Sequence, residues 1–407
     1  MTDFPAVSVR PLEVGEGLAA AWKLTKVAFG FQSGDPSTMP DASSMPEGRI
    51  VYGAFDSAGR LTGTLHDVCH DQWWGGRRVA SCDISAVAVL PEARGTGTAR
   101  AMLKAVLDGA HERGAAVSAL YPTAGAVYSA SGWAFAGQLR TLELPTTLLA
   151  TVPALKLNGG RSLTVRPADP RGADQPAVCD LYNRIARPRE GLLTRSGPAF
   201  AEDSWPRGID GMTLAFDEDT LVGYASWMRG AGYRAEAMLD VPDLLAVTTE
   251  AARELLAVLA GWRSVTPTVR LRPLEFDPIT PLLPWEAAAK LDARPWMHRP
   301  VDVALALSSR GWPLSRRGRV TFHLHDPIAS WNDGAWQFDV ADGHGELVRT
   351  GTHPELRLHV AGFALLYCGV ATPAMLAEAG LLHGPDSSIN GLELIRPKSA
   401  AQLLDYF

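Results

Sequence analysis

"VAVLPEARGTGTARAML", Val87–Leu103, joins an apolar run to helically spaced apolar residues through a short loop of Arg, Gly and Thr. The run "CDISAVAVL" is largely apolar and reads as a central strand. Beyond the loop, "TARAMLKAVLDGAHERG" sets Met102, Leu103, Val106 and Leu107 on one helical face and stops at Gly114. Arg94-Gly95-Thr96-Gly97-Thr98-Ala99, with Arg100 after it, therefore stands at a helix start. Such a start presents unpaired N–H groups and the positive end of the helix dipole, which attract anions. Small residues let a phosphate approach the backbone, and Arg94 can add a charge-assisted hydrogen bond. The loop is too short for GxxxxGK[ST], and its glycines miss the GxGxxG spacing. The plain alternative is a strand–helix turn capped by Gly and Thr.

Working outward, "GRIVYGAFD" and "GRLTGTLHDVCH" read as a strand pair turning at Asp56-Ser57-Ala58-Gly59. "AAVSALYP" is the strand after the helix, and "AGAVYSASGW" a short helix running into a loop. A second unit starting near "SLTVRPADP" repeats the order. It has a hairpin, "GMTLAFDEDTLVGYASWMR", then strand and helix in "DLLAVTTEAARELLAVLAGW", then a closing strand, "TPTVRLRP". From about Pro295 the rhythm changes to a helix-like "PVDVALALSSRG", the strands "RVTFHLHDP" and "GAWQFDVADGHGELVRT", and closing helices at "TPAMLAEAGLL" and "SAAQLLDYF". The expected class is α/β with an α+β ending, in three domains over 1–145, 146–294 and 295–407.

At 407 residues the chain is too long for one ordinary core, in line with that division. No apolar run approaches the roughly 20 residues of a membrane span, and the N-terminus lacks a signal-peptide pattern, so a cytoplasmic protein is expected. Cys69, Cys82, Cys179 and Cys368 form no CxxC pair, which argues against disulfides and zinc. His323-x-His325 would share one strand face and reads as a solvated pair rather than a metal site, so no metal is expected. A net charge of −6 argues against a nucleic-acid partner and is compatible with a cationic substrate.

The opening stretch resembles the acetyl-CoA motif of GNAT acetyltransferases, an R/Q-x-x-G-x-G/A loop, with Arg94, Gly97 and Ala99 on its key positions. "VYSASGW" resembles the same family's Y-x-x-x-G-F/Y/W element, with Tyr128, Gly132 and Trp133 in place. The resemblance implies that acetyl-CoA is the co-substrate and that residues 94–100 hold its pyrophosphate. It also implies that the strand Val87-Ala88-Val89 splays from its neighbour and pairs with the pantetheine. Tyr128, a phenol of reference pKa about 10, would then protonate the leaving sulfur; a packed tyrosine with a satisfied hydroxyl is the plain alternative.

In the second unit, Val247-Thr248-Thr249-Glu250 stands where the first has its Arg/Gly loop. It lacks glycine, and Glu250 would repel pyrophosphate, so a cofactor site there is not expected. An active unit, a degenerate one and a distinct C-terminal domain together resemble the Eis (enhanced intracellular survival) N-acetyltransferases, which are GNAT–GNAT–sterol-carrier-like proteins. That resemblance implies acetylation of amines on aminoglycoside antibiotics, often at several positions, or on lysine side chains. It further implies a hexamer and a catalytic base supplied by the chain's own terminal carboxylate, here Phe407. An α-carboxyl near 3.5 is a weak base for an ammonium near 10, so it would collect the proton after attack.

Asp83, on the strand leading into Val87, is the fallback base, although a strand-edge or turn carboxylate is its plainer reading, with Ser85 beside it as a further substrate-side candidate. Phe29, Phe31 and Asp35 in "AFGFQSGD" are candidates for the amine pocket, although phenylalanines at such positions are more often core. Three readings follow: an aminoglycoside N-acetyltransferase, a lysine N-acetyltransferase, and a CoA- or lipid-binding regulator. A proton donor at Tyr128 favours the first two.

Overall fold

The computed structural model describes residues 7–30, 47–152, 163–169, 172–200, 208–230, 232, 236–284 and 290–407. The first unit runs β1 (Ser8–Pro11), α1 (Glu16–Phe29), β2 (Arg49–Phe55), β3 (Leu61–Trp74), β4 (Arg77–Val89), α2 (Thr98–Glu112), β5 (Val117–Leu120), α3 (Gly125–Ser129) and β6 (Ala134–Pro145), with α4 (Thr146–Leu149) after it. The second repeats the order in β7 (Thr164–Ala168), α5 (Gln175–Ala186), β8 (Gly211–Asp217), β9 (Thr220–Met228), β10 (Met238–Ala246), α6 (Thr249–Ala260), β11 (Thr268–Leu271) and β12 (Lys290–Pro300). The β8–β9 hairpin turns at Glu218-Asp219, with Glu218 at a φ of 54°.

All twelve strands form one sheet, in the order β1-β2-β3-β4-β5-β12-β6-β11-β10-β9-β8-β7. The last strands are exchanged. β12 of the second unit lies against β5 of the first, β6 of the first lies against β11 of the second, and β6 and β12 pair along nearly their whole length. Neither unit completes its sheet alone.

The expected domain limit at 294/295 falls inside β12, and the second unit closes there rather than at β11. Pro295 and Pro300 lie within this strand although proline cannot donate to a ladder. β12 accommodates Pro295 next to a register shift at Trp296/Met297. We propose that the third unit starts after Pro300.

That unit contains α7 (Val303–Ser309), the sheet of β13 (Gly318–His325), β14 (Gly334–Ala341), β15 (His344–Arg349), β16 (Arg357–His359) and β17 (Leu382–His383), and the helices α8 (Val360–Tyr367) and α9 (Pro373–Glu378). Asp302 caps α7 by accepting from Leu305 N at 2.9 Å. Trp74, Val117, Ala119 and Ala136 of the large sheet share a core with Phe322, Phe338, Phe363 and Leu403. On the opposite side α2 buries Met102, Leu103, Val106 and Leu107 completely. Each such side chain contributes about 1.5–3 kcal/mol.

The last residues are not the expected helix; 399–407 run without helix or strand. Tertiary partners replace the helical hydrogen bonds: Ala401 N donates to Cys368 O, Gln402 N to Glu190 O, and Glu275 N to Gln402 Oε1, at 2.8–2.9 Å. Apolar Leu403 and Leu404 are buried beneath this path.

Candidate active site

β4 pairs with β5 over only Ser81–Ile84 against Val117–Leu120. Past that point it bulges: Thr64 faces Ala88 and His66 faces Ser85, so Leu65 alone opposes Ala86 and Val87. Ala86 takes a φ of 52°, a left-handed conformation that costs a non-glycine residue about 1 kcal/mol or more. Val87–Val89 lie beyond the stretch paired with β5 and line a cleft of about 770 Å³.

The floor of that cleft is the start of α2. Gly97 stands at the N-cap with a φ of 85° and brings no side chain to cap the first-turn amides. Those N–H groups remain available to an anion. Arg94, Gly95, Gly97, Thr98, Ala99 and Arg100 all line the cleft. The Nε of Arg94 donates to Val89 O at 3.3 Å, and Arg100 donates to Pro327 O in the third unit. Thr96 turns away: its hydroxyl donates to Ala93 O at 2.7 Å, and the residue lines a neighbouring cavity of about 410 Å³.

In the second unit Thr248 Oγ1 accepts from Ala251 N at 3.1 Å, so a side chain caps the α6 start. The two helix starts thus differ: one begins at a glycine and the other is capped by a threonine.

Tyr128 closes the cleft from α3 with only 4% of its surface exposed. Burial pushes its phenol up to about 12, against a smaller opposing pull from a hydrogen bond with Thr123. Its ring meets Trp133 edge-on with centroids 6.5 Å apart. Gly132 between them has a φ of 90°, and a Cβ there would stand 2.7 Å from Val360 Cγ1 and 2.8 Å from Arg299 Nη1. Only glycine allows this approach of the third unit.

A third cavity, of about 260 Å³, opens where β3, the 193–200 segment, β10 and the chain's end meet. Phe407 lines it, with its ring 5.3 Å from that of Tyr121 and 5.5 Å from that of His70. Tyr121 follows Leu120, the last β5 residue paired to β4, so the chain's end is seated where the two strands part. The Tyr121 hydroxyl donates to Asp405 O at 2.8 Å. Phe407 and Tyr128 line different cavities.

Asp83 is fully buried on β4 and close to four donors: His70 Nδ1 at 2.8 Å, Ser81 Oγ at 2.5 Å, Ala119 N at 3.2 Å and Gln72 Nε2 at 3.3 Å. Ser85 is half-buried, in the last paired position before the bulge. Phe29 is half-exposed at the rim of the larger cleft. Phe31 and Asp35 lie outside the described residues.

Sequence reasoning missed His70, Tyr121, Arg195, Asp243 and Asp405, which converge on the smaller cavity or its wall from segments far apart in the chain. His66 and His70 in "HDVCH" share a strand face, the one available local signal. Among the described residues no cluster of three or more His, Cys, Asp or Glu is placed to hold a metal ion. No helix among them is long and apolar enough to cross a membrane.

Models of the acetyltransferase (GNAT) domain match residues 8–136 and 191–300, and a sterol carrier protein domain model matches 303–403. An uncharacterized N-acetyltransferase of Streptomyces griseus is 28% identical over 400 residues, 92% of this chain and 93% of that one. A solved GCN5-related N-acetyltransferase from Anabaena variabilis is 25% identical with a TM-score of 0.83, covering 98% of this chain and 100% of that one. Eis1 from Mycobacterium abscessus, 20% identical with a TM-score of 0.73 over 99% of this chain and 100% of that one, shares the fold.

Proposed function

We propose that this chain, an N-acetyltransferase with tandem GNAT domains and a sterol-carrier-like domain after them, acetylates primary amines of small polycationic molecules, with aminoglycoside antibiotics the leading class. One observation carries the reading. The Ala86-Val87 bulge aims the β4 edge into a cleft shared by an uncapped helix start and Tyr128.

Val87–Val89 and the loop from Arg94 to Arg100 would hold acetyl-CoA, the strand edge meeting the pantetheine and the α2 amides with Arg94 meeting the pyrophosphate. When bound, acetyl-CoA supplies an acetyl group activated as a thioester. A β4 N–H polarises its carbonyl. Tyr128 keeps its proton on Oη at neutral pH, since burial favours the neutral phenol, and offers it to the departing sulfur. The terminal carboxylate of Phe407 takes the proton that the amine nitrogen sheds once attack has made it acidic. Asp83, already ringed by donors, is a poorer acceptor.

The wall of the smaller cavity favours a second acceptor class. Arg49 and Arg272 line it beside Phe407, next to the mutually paired Arg195, Asp243 and Asp405. That balance suits an amine on a molecule that also carries an anionic group, as a lysine peptide does. A hexamer working in the cytoplasm belongs to the same overall reading, checked for assembly by sedimentation.

The deciding experiment is acetyl-CoA-dependent thiol release with aminoglycosides, polyamines and lysine peptides, each product weighed by mass spectrometry. Added acetyl groups on aminoglycosides support the first class, and turnover confined to peptides supports the second. Tight acetyl-CoA binding without turnover on any amine would point to a CoA-binding regulator. Adding one Gly after Phe407 moves the terminal carboxylate without deleting a side chain. Full activity in that variant removes the carboxylate from the mechanism.

A further inference from the structure

The second GNAT unit keeps the fold of the first, bulge included. On β10, Asp240 faces Met228 and Asp243 faces Ser226, so Trp227 alone opposes Val241 and Pro242. The first residue paired beyond the bulge is Asp243, in the register where β4 has Ala88 of the large cleft. The degenerate unit has thus put a carboxylate where the active one presents an open strand edge.

That carboxylate is buried and engaged. Arg195 grips it with two parallel hydrogen bonds, Nη1 to Oδ2 at 2.6 Å and Nη2 to Oδ1 at 2.7 Å, and Tyr224 donates to Oδ2 at 3.2 Å. Ser226 Oγ accepts from the Asp243 N–H at 3.2 Å. The guanidinium lies 4.2 Å over the Tyr182 ring, and Arg195 itself holds a strained φ of 47°. Its remaining edge faces the chain's end, where Nε donates to Asp405 Oδ1 at 2.9 Å and to Oδ2 at 3.2 Å. Asp405 is two residues from the terminus, and its carbonyl is held from the other side by Tyr121 of the first unit.

We propose that Arg195 and Asp243 are positioning residues: the second unit has become the holder of the chain's end and, through Asp405, aims the Phe407 carboxylate at the parting of β4 and β5. The inference rests on the reading in which that carboxylate accepts the amine proton. A bidentate buried pair suits the task, because two parallel hydrogen bonds fix the plane of the guanidinium that faces Asp405. It also gives the second unit a use without a cofactor. The active site is then assembled from all three units: cleft, holder and tail.

Asp405→Asn is the variant to make. It removes one charge from a partly exposed side chain, leaving the Arg195–Asp243 pair and the Tyr121 hydrogen bond in place. Arg195 itself is a poor target, since its loss strands Asp243 in the interior. Two readouts separate positioning from mere packing. Carboxypeptidase A releases a C-terminal Phe only from a tail that undocks, and Asp405→Asn should speed release about tenfold or more. At saturating amine, kcat should fall about tenfold to a hundredfold while KM for acetyl-CoA moves less than about twofold, with Asp405→Glu recovering part of the loss.

Unchanged Phe release overturns the latch. Faster release with kcat intact overturns positioning, and the chain extended by Gly then assigns the fault. If that extended chain is inactive, the carboxylate stands as base and only the holder fails. If it is fully active, the base assignment itself fails.

Discussion

His70 Nδ1 lies 2.8 Å from Asp83 Oδ2, with both side chains buried and the His70 ring edge-on to Phe407. The other Asp83 oxygen faces Ser81, Gln72 and the Ala119 N–H. A carboxylate so surrounded works as an anchor, fixing the imidazole's tautomer and the joint between β4 and β5. Asp83→Asn should therefore cost about 1–3 kcal/mol of stability by leaving buried donors poorly matched. Its kcat at saturating substrates should fall by less than about tenfold, short of the loss expected of a general base. Denaturant unfolding and steady-state kinetics on one preparation check both. A thousandfold loss of kcat at unchanged stability would make Asp83 itself the proton acceptor.

Tyr128→Phe keeps the ring against Trp133 and removes only the hydroxyl. We expect kcat to drop about a hundredfold or more, with KM for acetyl-CoA within about twofold. The pH dependence has a definite sign. Tyr128 acts when protonated and its phenol is pushed up to about 12, so its contribution is complete at neutral pH and fades only as pH rises through that value. The kcat profile should show no alkaline fall from this group below about pH 11. A fall centred near the ordinary phenol value, absent from Tyr128→Phe, would show that the working enzyme holds this hydroxyl in water.

The Arg94 side chain is exposed, and its hydrogen bond to Val89 O is long, so the fold depends little on it. Arg94→Ala should weaken acetyl-CoA binding by about tenfold while leaving kcat at saturation nearly unchanged. Gly97→Ala meets a φ of 85° and should cost about 1 kcal/mol of stability besides weakening the cofactor. Calorimetric titration should find one acetyl-CoA per chain, because Thr248 caps the second helix start. Two equivalent sites would mean that the capped end opens on binding.

The larger cleft was legible because its parts are local. Strand, loop and helix follow one another within Val87–Leu103, and the spacing of Arg94, Gly97 and Ala99 survives any rearrangement elsewhere. Tyr128 was legible for the same reason, in step with Gly132. The bulge left no trace, since an alanine at positive φ looks like any alanine. β12 was obscured by Pro295, whose local preference was overridden by pairing on both edges with β5 and β6. The tail read as a helix because Leu403 and Leu404 fit either period over so short a run. Arg195, Asp243 and Asp405 meet only through the fold, at separations of 48 and 210 residues, beyond any periodicity.

The strand exchange makes a further claim about the first unit, which contains every residue of the larger cleft. Residues 1–145 alone would leave β6 without either neighbour and β5 without β12. Val117, Ala119 and Ala136 would lose the core they share with the third unit, and an open central edge would face solvent. The fragment should aggregate or collapse without a cooperative unfolding transition, and it should not bind acetyl-CoA, because the parting of β4 and β5 depends on β5 being held from its far side. Expression of 1–145 with solubility, thermal melting and acetyl-CoA titration tests this. A soluble fragment with a single sharp transition and native affinity would show that the first unit closes its own sheet and that the exchange serves only to join the two halves.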